Sequence, residues 1–392
     1  MLIKIDKNFD NNSEALKTLI EQIYYINSSI IRCQYVDKGL KIDFELDYTE
    51  NTNYLINEVH NLASSILKSF DRVEARIIFE NIGEVCSHKD PIEYLMKTNQ
   101  VIETYPGVFA LQGDFLNCIN EIDSVFRSFA MERDAVEQHF QPTLPTKSLV
   151  ENGYLSSFPQ HPLFVSSVQR NADIINTLSN DAKVKPIKDI HEWLEDKLDH
   201  HTQILSPTVC YHCFETLRGR SIPAQGVQYT AIASCHRHES LNISGLSRLQ
   251  TFTMREIVFY GTDEFVETCR NEILSHCQSY FVNLGLKFRV ITASDPFFAS
   301  GAEKKRIFQS ALELKYEVQA YLPHSDSWIS VASFNNHQQS LVSKYNISFE
   351  SMSLLHSGCV GYGYERLAYA MYSQFGYDRS AWPRNNKYKN EI

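Results

Sequence analysis

The sequence predicts an α+β fold, in which a small N-terminal α/β module precedes an antiparallel sheet flanked by helices. Two observations predict this: residues 1–85 alternate in the order β-α-β-β-α-β, and residues 206–366 alternate strands with short turns. With 392 residues, of which 43% are hydrophobic, the chain can bury one large core and a smaller one. We therefore divide the chain into a module of unassigned role, residues 1–85, and a larger domain, residues 86–392.

The N-terminal module is predicted to be a ferredoxin-like sandwich. Its expected elements are a strand at 2–5, a helix from 13 to about 26, strands at 30–36 and 40–48, a helix at 52–70 and a strand at 73–79. The turn Asp37-Lys38-Gly39 and the alternation of apolar with polar residues from Leu40 to Tyr48 indicate that the middle strands form a hairpin. No residue of this module suggests catalysis.

A long amphipathic helix and an extended segment begin the larger domain. The apolar face of the helix comprises Ile122, Val125, Phe126, Phe129 and Ala130. Pro142 and Pro145 keep the segment 140–145 out of any central strand. A long helix followed by an edge strand often forms a dimer interface. An ordinary surface helix and loop would explain the same residues equally well.

The net charge of −10 argues against a protein that binds long nucleic acid through its phosphates, because such binding normally requires a basic face. The sequence shows neither an N-terminal targeting segment nor an apolar run long enough to cross a membrane. Its nine cysteines are an odd number and are scattered along the chain. We therefore expect a cytoplasmic protein with reduced thiols and no membrane association.

Three segments carry the residues of a nucleotide site. Cys235–Glu239 and Arg248–Glu256 are predicted as two strands joined by a polar loop, and such strands bring Arg237, Arg248 and Phe252 to one surface beside Glu239. A third guanidinium, that of Arg366, begins an apolar helix behind the glycine-rich stretch 358–363. Cations for phosphates, an acceptor for the adenine amine and a ring for stacking are what a nucleoside triphosphate requires. Either strand segment alone is equally compatible with a salt-bridged surface hairpin.

A second set of residues suggests a metal site. Cys210 and Cys213 form a Cys-x-x-Cys, typical of a zinc knuckle or a redox pair, but the second Cys-x-x-Cys that a closed zinc site needs is absent. An open zinc site instead takes three ligands from distant segments and leaves the fourth position for substrate. Cys210, Glu256 and Cys359 are the candidates. Each of them alone is also consistent with a buried thiol or a surface carboxylate.

The two nucleotide-site segments resemble motifs 2 and 3 of the class II aminoacyl-tRNA synthetases, and the helix with Pro142 and Pro145 looks like their motif 1. The resemblance covers residues 105–383 and implies that residues 86–392 are a catalytic domain, with a class II synthetase-like antiparallel sheet that binds ATP with Mg²⁺. It implies that Arg237 holds the α-phosphate and the reacting carboxylate, and that Arg366 joins it in catalysis. The residues it assigns to ATP are Arg237, Glu239, Arg248, Leu249, Phe252 and Arg366.

The resemblance narrows to the zinc-dependent seryl-tRNA synthetases and the amino acid:carrier protein ligases similar to them. Cys210, Glu256 and Cys359 occupy the ligand positions of that subgroup, which implies one Zn²⁺ per subunit. There the metal takes the amino group of the substrate amino acid, so Glu256 lies at the substrate as well. Cys213 and Cys235 match no ligand position, and we expect them to be structural.

Four segments favour the ligases over the synthetases. They lie at 153–159, 293–298, 333–337 and 380–383. This resemblance implies a homodimer that activates an amino acid, glycine or alanine, and transfers it to the phosphopantetheine thiol of a carrier protein. We do not expect tRNA as acceptor, because neither a coiled-coil arm nor a basic appended domain is evident. The alternatives are a seryl-type synthetase that charges tRNA and a non-catalytic paralogue.

One departure from the seryl enzymes concerns Mg²⁺. Where those enzymes place a metal-binding Glu, this chain has Ile329-Ser330-Val331. Glu317 is the nearby carboxylate that could replace it.

Overall fold

The structure, a computed structural model, describes residues 1–5, 9–10, 12–45, 52–70, 75–83, 85–184, 190–293 and 312–383. The helices are α1 Ser13–Ile23, α2 Thr52–Phe70, α3 Pro91–Lys97, α4 Gly113–Glu132, α5 Thr146–Glu151, α6 Tyr154–Ser157, α7 Ala172–Asp181, α8 Ile190–Glu195, α9 Cys210–Leu217, α10 Asp263–Asn283, α11 Ser340–Lys344 and α12 Tyr364–Phe375. None of these described helices is long and apolar enough to cross a membrane.

The strands that precede residue 227 are β1 Leu2–Lys4, β2 Ile30–Val36, β3 Gly39–Phe44, β4 Ile77–Asn81, β5 Val101–Tyr105, β6 Val108–Leu111, β7 Val136–Glu137, β8 Thr143–Pro145, β9 Leu163–Val165, β10 Gln203–Leu205 and β11 Ser221–Ile222. The remaining strands are β12 Val227–His236, β13 Thr251–Gly261, β14 Phe288–Thr292, β15 Lys315–Leu322, β16 Ser327–Gln338, β17 Ser348–Phe349 and β18 His356–Gly363.

Eight strands form the main sheet, in the order β4-β14-β15-β16-β18-β13-β12-β7. Every pair in it is antiparallel except β12 with the short edge strand β7. The predicted antiparallel sheet flanked by helices is therefore confirmed. Successive side chains of a strand point to opposite faces of the sheet. In β13, Ile257 and Phe259 pack into the main core with α4, α10 and α12, whereas Val258 and Tyr260 face the other side of the sheet, where α9 packs.

The N-terminal module differs from the prediction in one strand. Its own sheet has three strands in the order β1-β3-β2, packed with α1 and α2 around a separate core. The strand expected at 73–79 lies at Ile77–Asn81 and pairs antiparallel with β14 of the main sheet, so the ferredoxin-like prediction is wrong. The error has a physical cause, since an apolar pattern shows that a segment can pair but does not select between two open sheet edges. The domain boundary at residue 85 stays a prediction.

The hairpin of the module forms as predicted. Asp37 and Lys38 both have positive φ, at 50° and 62°, which matches the twist of the flanking strands β2 and β3. The first helix ends at Ile23, a turn earlier than expected. Residues 46–48 of the predicted second strand lie outside the described residues.

The predicted long helix corresponds to α4. Its buried residues include Ile122, Phe126 and Ala130, and Val125 and Phe129 pack against the same core. The following chain gives β7, at the edge of the main sheet, and then β8, in a separate small sheet with β10 and β9. The predicted amphipathic face is confirmed, and Leu144 of β8 anchors the extended segment in a small apolar cluster.

Candidate active site

The hairpin β12–β13 positions the candidate nucleotide residues. Its strands pair continuously from Val227 opposite Tyr260 to His236 opposite Thr251. The backbone N–H of Arg237 donates to the carbonyl of Gln250 at 2.9 Å, so the ladder closes the base of the polar loop. We call residues 237–250 the hairpin loop. The expected pair of strands with a long polar loop is present.

Three guanidiniums gather at this loop. Arg237 donates from Nε to the carbonyl of Pro207 at 3.0 Å, and its guanidinium lies 5.1 Å from the centre of the Phe252 ring. Arg248 donates to Glu239 at 3.1 Å, and Arg366 lies at the start of α12 with Nη1 3.4 Å from the carbonyl of Ser330. The structure thus brings together the five charged or aromatic residues predicted for ATP.

The charges of the three cations act on one another. Burial and the charges of Arg248 and Arg237 lower the pKa of Arg366 to about 10, against the opposing effect of Glu239. The group remains a cation at neutral pH, but the like charges around it cost free energy. Bound phosphate oxygens would relieve that repulsion, so the cluster suits a polyanion.

Leu249 is the exception among the residues predicted for ATP. It is 4% exposed and belongs to the main core, where it anchors the end of the hairpin loop. Its contact with ATP stays a prediction.

The candidate metal ligands converge from three elements. Cys210 begins α9, Glu256 lies in the middle of β13 and Cys359 lies in β18. Their ligand atoms all lie within 4.8 Å of one another, and the three side chains are buried, at 4%, 1% and 5% exposure. The sequence therefore predicted correctly which three residues meet, although they are far apart along the chain.

Strand register explains why these side chains meet. Cys359 pairs with Val258 and Gly361 pairs with Glu256, so all four positions share the α9 side of the sheet. A Cβ at Gly361 would lie 2.6 Å from Cε of Met254, the end of a flexible side chain, and in ordinary contact with Glu256. A Cβ at Gly358 would instead lie 2.7 Å from the backbone carbonyl oxygen of Asn335, so glycine at 358 permits close packing of β18 on β16.

The carboxylate of Glu256 is held from the α9 side. It accepts hydrogen bonds from the backbone N–H of Val209 at 3.0 Å and of Cys210 at 3.2 Å, and from the hydroxyl of Thr208. These hydrogen bonds fix the carboxylate of Glu256 relative to Cys210 before any metal binds.

The donor set fits a divalent cation. The pKa of the Cys210 thiol is held well above its usual value by the hydrogen bond to Cys359, by burial and by the Glu256 charge. Three groups that can each become anionic are therefore crowded together in a buried place, and a cation would remove that penalty. Two thiolates and a carboxylate are typical of Zn²⁺. Cys213 and Cys235 are both fully buried, Cys213 in the same apolar cluster as Cys210 and Cys359 and Cys235 in another, but neither belongs to the group of three ligand residues.

Two polar residues beside Cys359 were not identified from the sequence. Nδ2 of Asn335 and Nε2 of His337 each lie 3.5 Å from its Sγ. Both belong to β16, where Asn335 is the cross-strand partner of Cys359. The sequence signal was the segment 333–337, which marks a family resemblance but no contact.

Tyr154 and His161 were also missed. The Tyr154 hydroxyl and Nδ1 of His161 are 3.1 Å apart, and the backbone N–H of His238 donates to the carbonyl of His161 at 2.8 Å. Burial together with the charges of Arg237, Arg248 and His238 lowers the pKa of His161 to about 3. A neutral imidazole therefore borders the cation cluster. The segment 153–159, which includes Tyr154, was the sequence signal here, because it resembles the carrier-protein ligases.

Glu317 has partners within the protein. Its carboxylate is 2.9 Å from Nζ of Lys315 and accepts a hydrogen bond from Ser330. The Ser330 carbonyl in turn contacts Arg366. Glu317 therefore lies beside the cation cluster, and its role as an Mg²⁺ ligand stays a prediction. Most of the segment 293–298 lies outside the described residues.

Comparisons with known proteins identify the family of the chain. Residues 193–375 match the family model of the tRNA synthetase class II core domain (G, H, P, S and T). The chain is 30% identical over 295 residues to amino acid--[acyl-carrier-protein] ligase 1 of Bradyrhizobium diazoefficiens, covering 75% of this chain and 88% of the relative. It is 26% identical over 287 residues to the type-2 serine--tRNA ligase of Methanopyrus kandleri, covering 66% and 52%.

Among solved structures, the M. kandleri seryl-tRNA synthetase, crystallised in complex with an Aquifex aeolicus tRNASec, superposes with a TM-score of 0.70. The identity is 20%, and the match covers 93% of this chain and 74% of that one. At that identity the match shows a shared fold.

Proposed function

The chain belongs to the class II synthetase family of AMP-forming ligases, alongside the amino acid:carrier protein ligases, and from this premise we propose that it activates a small amino acid with ATP and transfers it to the phosphopantetheine thiol of a carrier protein. The observation that carries the proposal is that two clusters meet at residues 207–210. Arg237 of the cation cluster donates to the carbonyl of Pro207, and Glu256 of the set Cys210, Glu256 and Cys359 accepts from Thr208 and Val209. Although burial acts to lower the pKa of Arg237, the charge of Glu256 is among those that raise it.

The first step is adenylate formation. A carboxylate oxygen of the amino acid attacks the α-phosphorus of ATP, a new P–O bond forms, and the bond to pyrophosphate breaks. Arg237 would hold the α-phosphate and the attacking carboxylate, while Arg248 and Arg366 would neutralise the outer phosphates together with Mg²⁺. Positioning and charge neutralisation carry the step, so no protein nucleophile is required.

Nucleotide recognition would use the remaining residues of the loop. Glu239 is 8% exposed and would accept from the adenine amine, and Phe252 offers a ring face that Arg237 already overlies. Both residues flank the cations, so base and phosphates would be read by one hairpin.

The metal end would select the amino acid. Cys210, Glu256 and Cys359 are the residues that would hold one Zn²⁺ per subunit, because their ligand atoms are close, buried and of the right chemistry. When bound, the ion supplies a Lewis acid that takes a free amino group. Three donors from residues 208–210 fix the carboxylate of Glu256.

The second step is thioester formation. The sulfur of the carrier thiol attacks the carbonyl carbon of the adenylate, the mixed-anhydride C–O bond breaks, and AMP and the thiol proton are released. The relative from B. diazoefficiens, named as an amino acid--[acyl-carrier-protein] ligase, supports a carrier protein as acceptor. Glycine or alanine is the proposed amino acid, and this part rests on resemblance alone.

We further propose that the chain works as a homodimer in the cytoplasm. The dimer would use α4 and the edge strand β7, whose Val136 is 51% exposed beside the parallel partner β12. Both cysteine ligands act as thiolates, and the cytoplasm keeps thiols reduced.

The proposal is tested by offering one activated amino acid to competing acceptors. Purified enzyme, ATP and labelled glycine or alanine are incubated with holo-carrier protein, with the same carrier lacking phosphopantetheine, and with tRNA. We expect label on the holo-carrier alone. Label on tRNA in a parallel incubation with labelled serine would identify a seryl-type synthetase. Absence of label and of pyrophosphate exchange with all twenty amino acids would indicate a non-catalytic paralogue.

A further inference from the structure

The C-terminal end of α1 contacts the hairpin loop at three points. Oε1 of Glu21 is 2.6 Å from Nη2 of Arg248, and the backbone carbonyl of Glu21 accepts from Nδ2 of Asn242 at 2.7 Å. One turn further on, the hydroxyl of Tyr25 donates to the carbonyl of His238 at 3.2 Å. The N-terminal module thus reaches both the backbone and the side chains of a loop that holds four residues predicted to bind ATP.

Arg248 is held between two carboxylates from different parts of the chain. Glu21 contacts Nη2, and Glu239 contacts Nη1. The side chains of Arg248 and Glu21 are only 25% and 23% exposed, so solvent screens their ion pair less than an ordinary surface pair. A guanidinium has five N–H donors, and two carboxylate contacts leave others for a phosphate.

The location of Arg248 indicates whether Glu21 helps this arginine to bind phosphates or competes with the phosphates for it. After burial, the charge of Arg248 is the strongest of the effects that lower the pKa of Arg366, and Arg366 lies in the first turn of α12. Two like charges move apart unless something holds them, and Glu21 with Glu239 supplies that restraint. Glu21 therefore holds the guanidinium where phosphates would bind it and does not draw it away.

We propose that Glu21 is a positioning residue for ATP binding, through which the N-terminal module clamps the hairpin loop and orients Arg248 toward the phosphates. This rests on the nucleotide site of the proposed function. It gives the module a role in the first half-reaction, and the contacts that carry it are Glu21 to Arg248, Asn242 to Glu21 and Tyr25 to His238.

The test is a comparison of Glu21→Gln with the wild type in amino-acid-dependent pyrophosphate exchange. Loss of the carboxylate charge is expected to raise the KM for ATP by about tenfold, while kcat and the KM for the amino acid stay unchanged. Glu21→Asp, which keeps the charge on a shorter side chain, is expected to recover part of the ATP affinity. Asn242→Ala, which removes one backbone restraint from the loop, is expected to raise the same KM by a smaller factor.

Glu45→Gln is the matched control, because Glu45 is an exposed acidic residue of the same module. It should leave all constants unchanged. A fall in the KM for ATP in Glu21→Gln would show that Glu21 competes with phosphate and would overturn the clamp. A change in the KM for ATP of Glu21→Gln no larger than that of Glu45→Gln would also overturn the clamp. A lower melting temperature of Glu21→Gln with an unchanged KM would do the same.

Calorimetric titration with ATP separates this inference from the proposed function. If the wild type binds ATP but shows no exchange with any amino acid, the proposed function fails while weaker ATP binding by Glu21→Gln still supports the clamp. Absence of ATP binding by the wild type would overturn both.

Discussion

The two ends of the site are built in opposite ways. At the nucleotide end, long side chains from a loop and a helix start place three cations together, and carboxylates from two parts of the chain partly neutralise them. At the metal end, three short side chains from a helix and two paired strands place groups that can become anionic within 4.8 Å, almost without exposure.

This difference teaches how each end is prepared for its ligand. The nucleotide end has an excess of positive charge and half-buried side chains, so it can adjust around a flexible polyanion. The metal end has an excess of acceptors on rigid backbone, as a small cation of fixed geometry requires. Each end lacks the charge that its proposed ligand supplies.

The largest effect is expected at the nucleotide end. Arg237→Ala should lower amino-acid-dependent pyrophosphate exchange by about a thousandfold or more, because Arg237 would contact both reacting groups. Arg170→Ala, which removes an exposed arginine, is the control and should leave the rate unchanged. Full activity of the Arg237 variant in the exchange assay would rule out its role at the α-phosphate.

At the metal end, Cys210→Ser and Cys359→Ser should each yield protein without zinc and without exchange activity. A hydroxyl cannot replace a thiolate ligand in this buried set. Metal analysis of the purified variants measures this, and Cys213→Ser is the matched control because Cys213 is buried in the same cluster as Cys210 and Cys359 but is not one of the three grouped ligand residues. Zinc retained by both serine variants would contradict the assignment.

A smaller effect is expected from the side chains around Cys359. His337→Ala removes a nitrogen 3.5 Å from Sγ and should weaken zinc binding by about 10–100-fold, measured by competition with a chelator. Asn335→Ala removes the second donor and should act in the same direction. If chelator competition gives wild-type affinity for both variants, these residues do not orient the ligand.

The sequence predicted the elements of the site better than the contacts between distant parts. Alternation and polar loops identify the β12–β13 hairpin, and an apolar helix behind glycines locates Arg366, because these are local patterns. Residue type made the three metal ligands candidates and resemblance assigned their positions, since register between β13 and β18 is not encoded in either strand alone.

What could not be predicted depends on packing between separate units. The pairing of β4 with β14, and not with the module, reflects which sheet edge lies nearby. The contact of Glu21 with Arg248 joins residues 227 positions apart, and no periodic pattern records it. The position of His337 beside Cys359 depends on an irregularity in the β16–β18 pairing between Asn336 and Gln338.

The most direct test of the account is amino-acid-dependent pyrophosphate exchange on one enzyme preparation before zinc removal, after it and after zinc is returned, with Mg²⁺ in excess throughout. The account predicts that exchange with glycine or alanine is lost on zinc removal and restored by Zn²⁺, while ATP binding by calorimetry persists because the cation cluster does not contain the metal. Exchange that continues in the zinc-free enzyme would contradict the claim that the two ends act as one site.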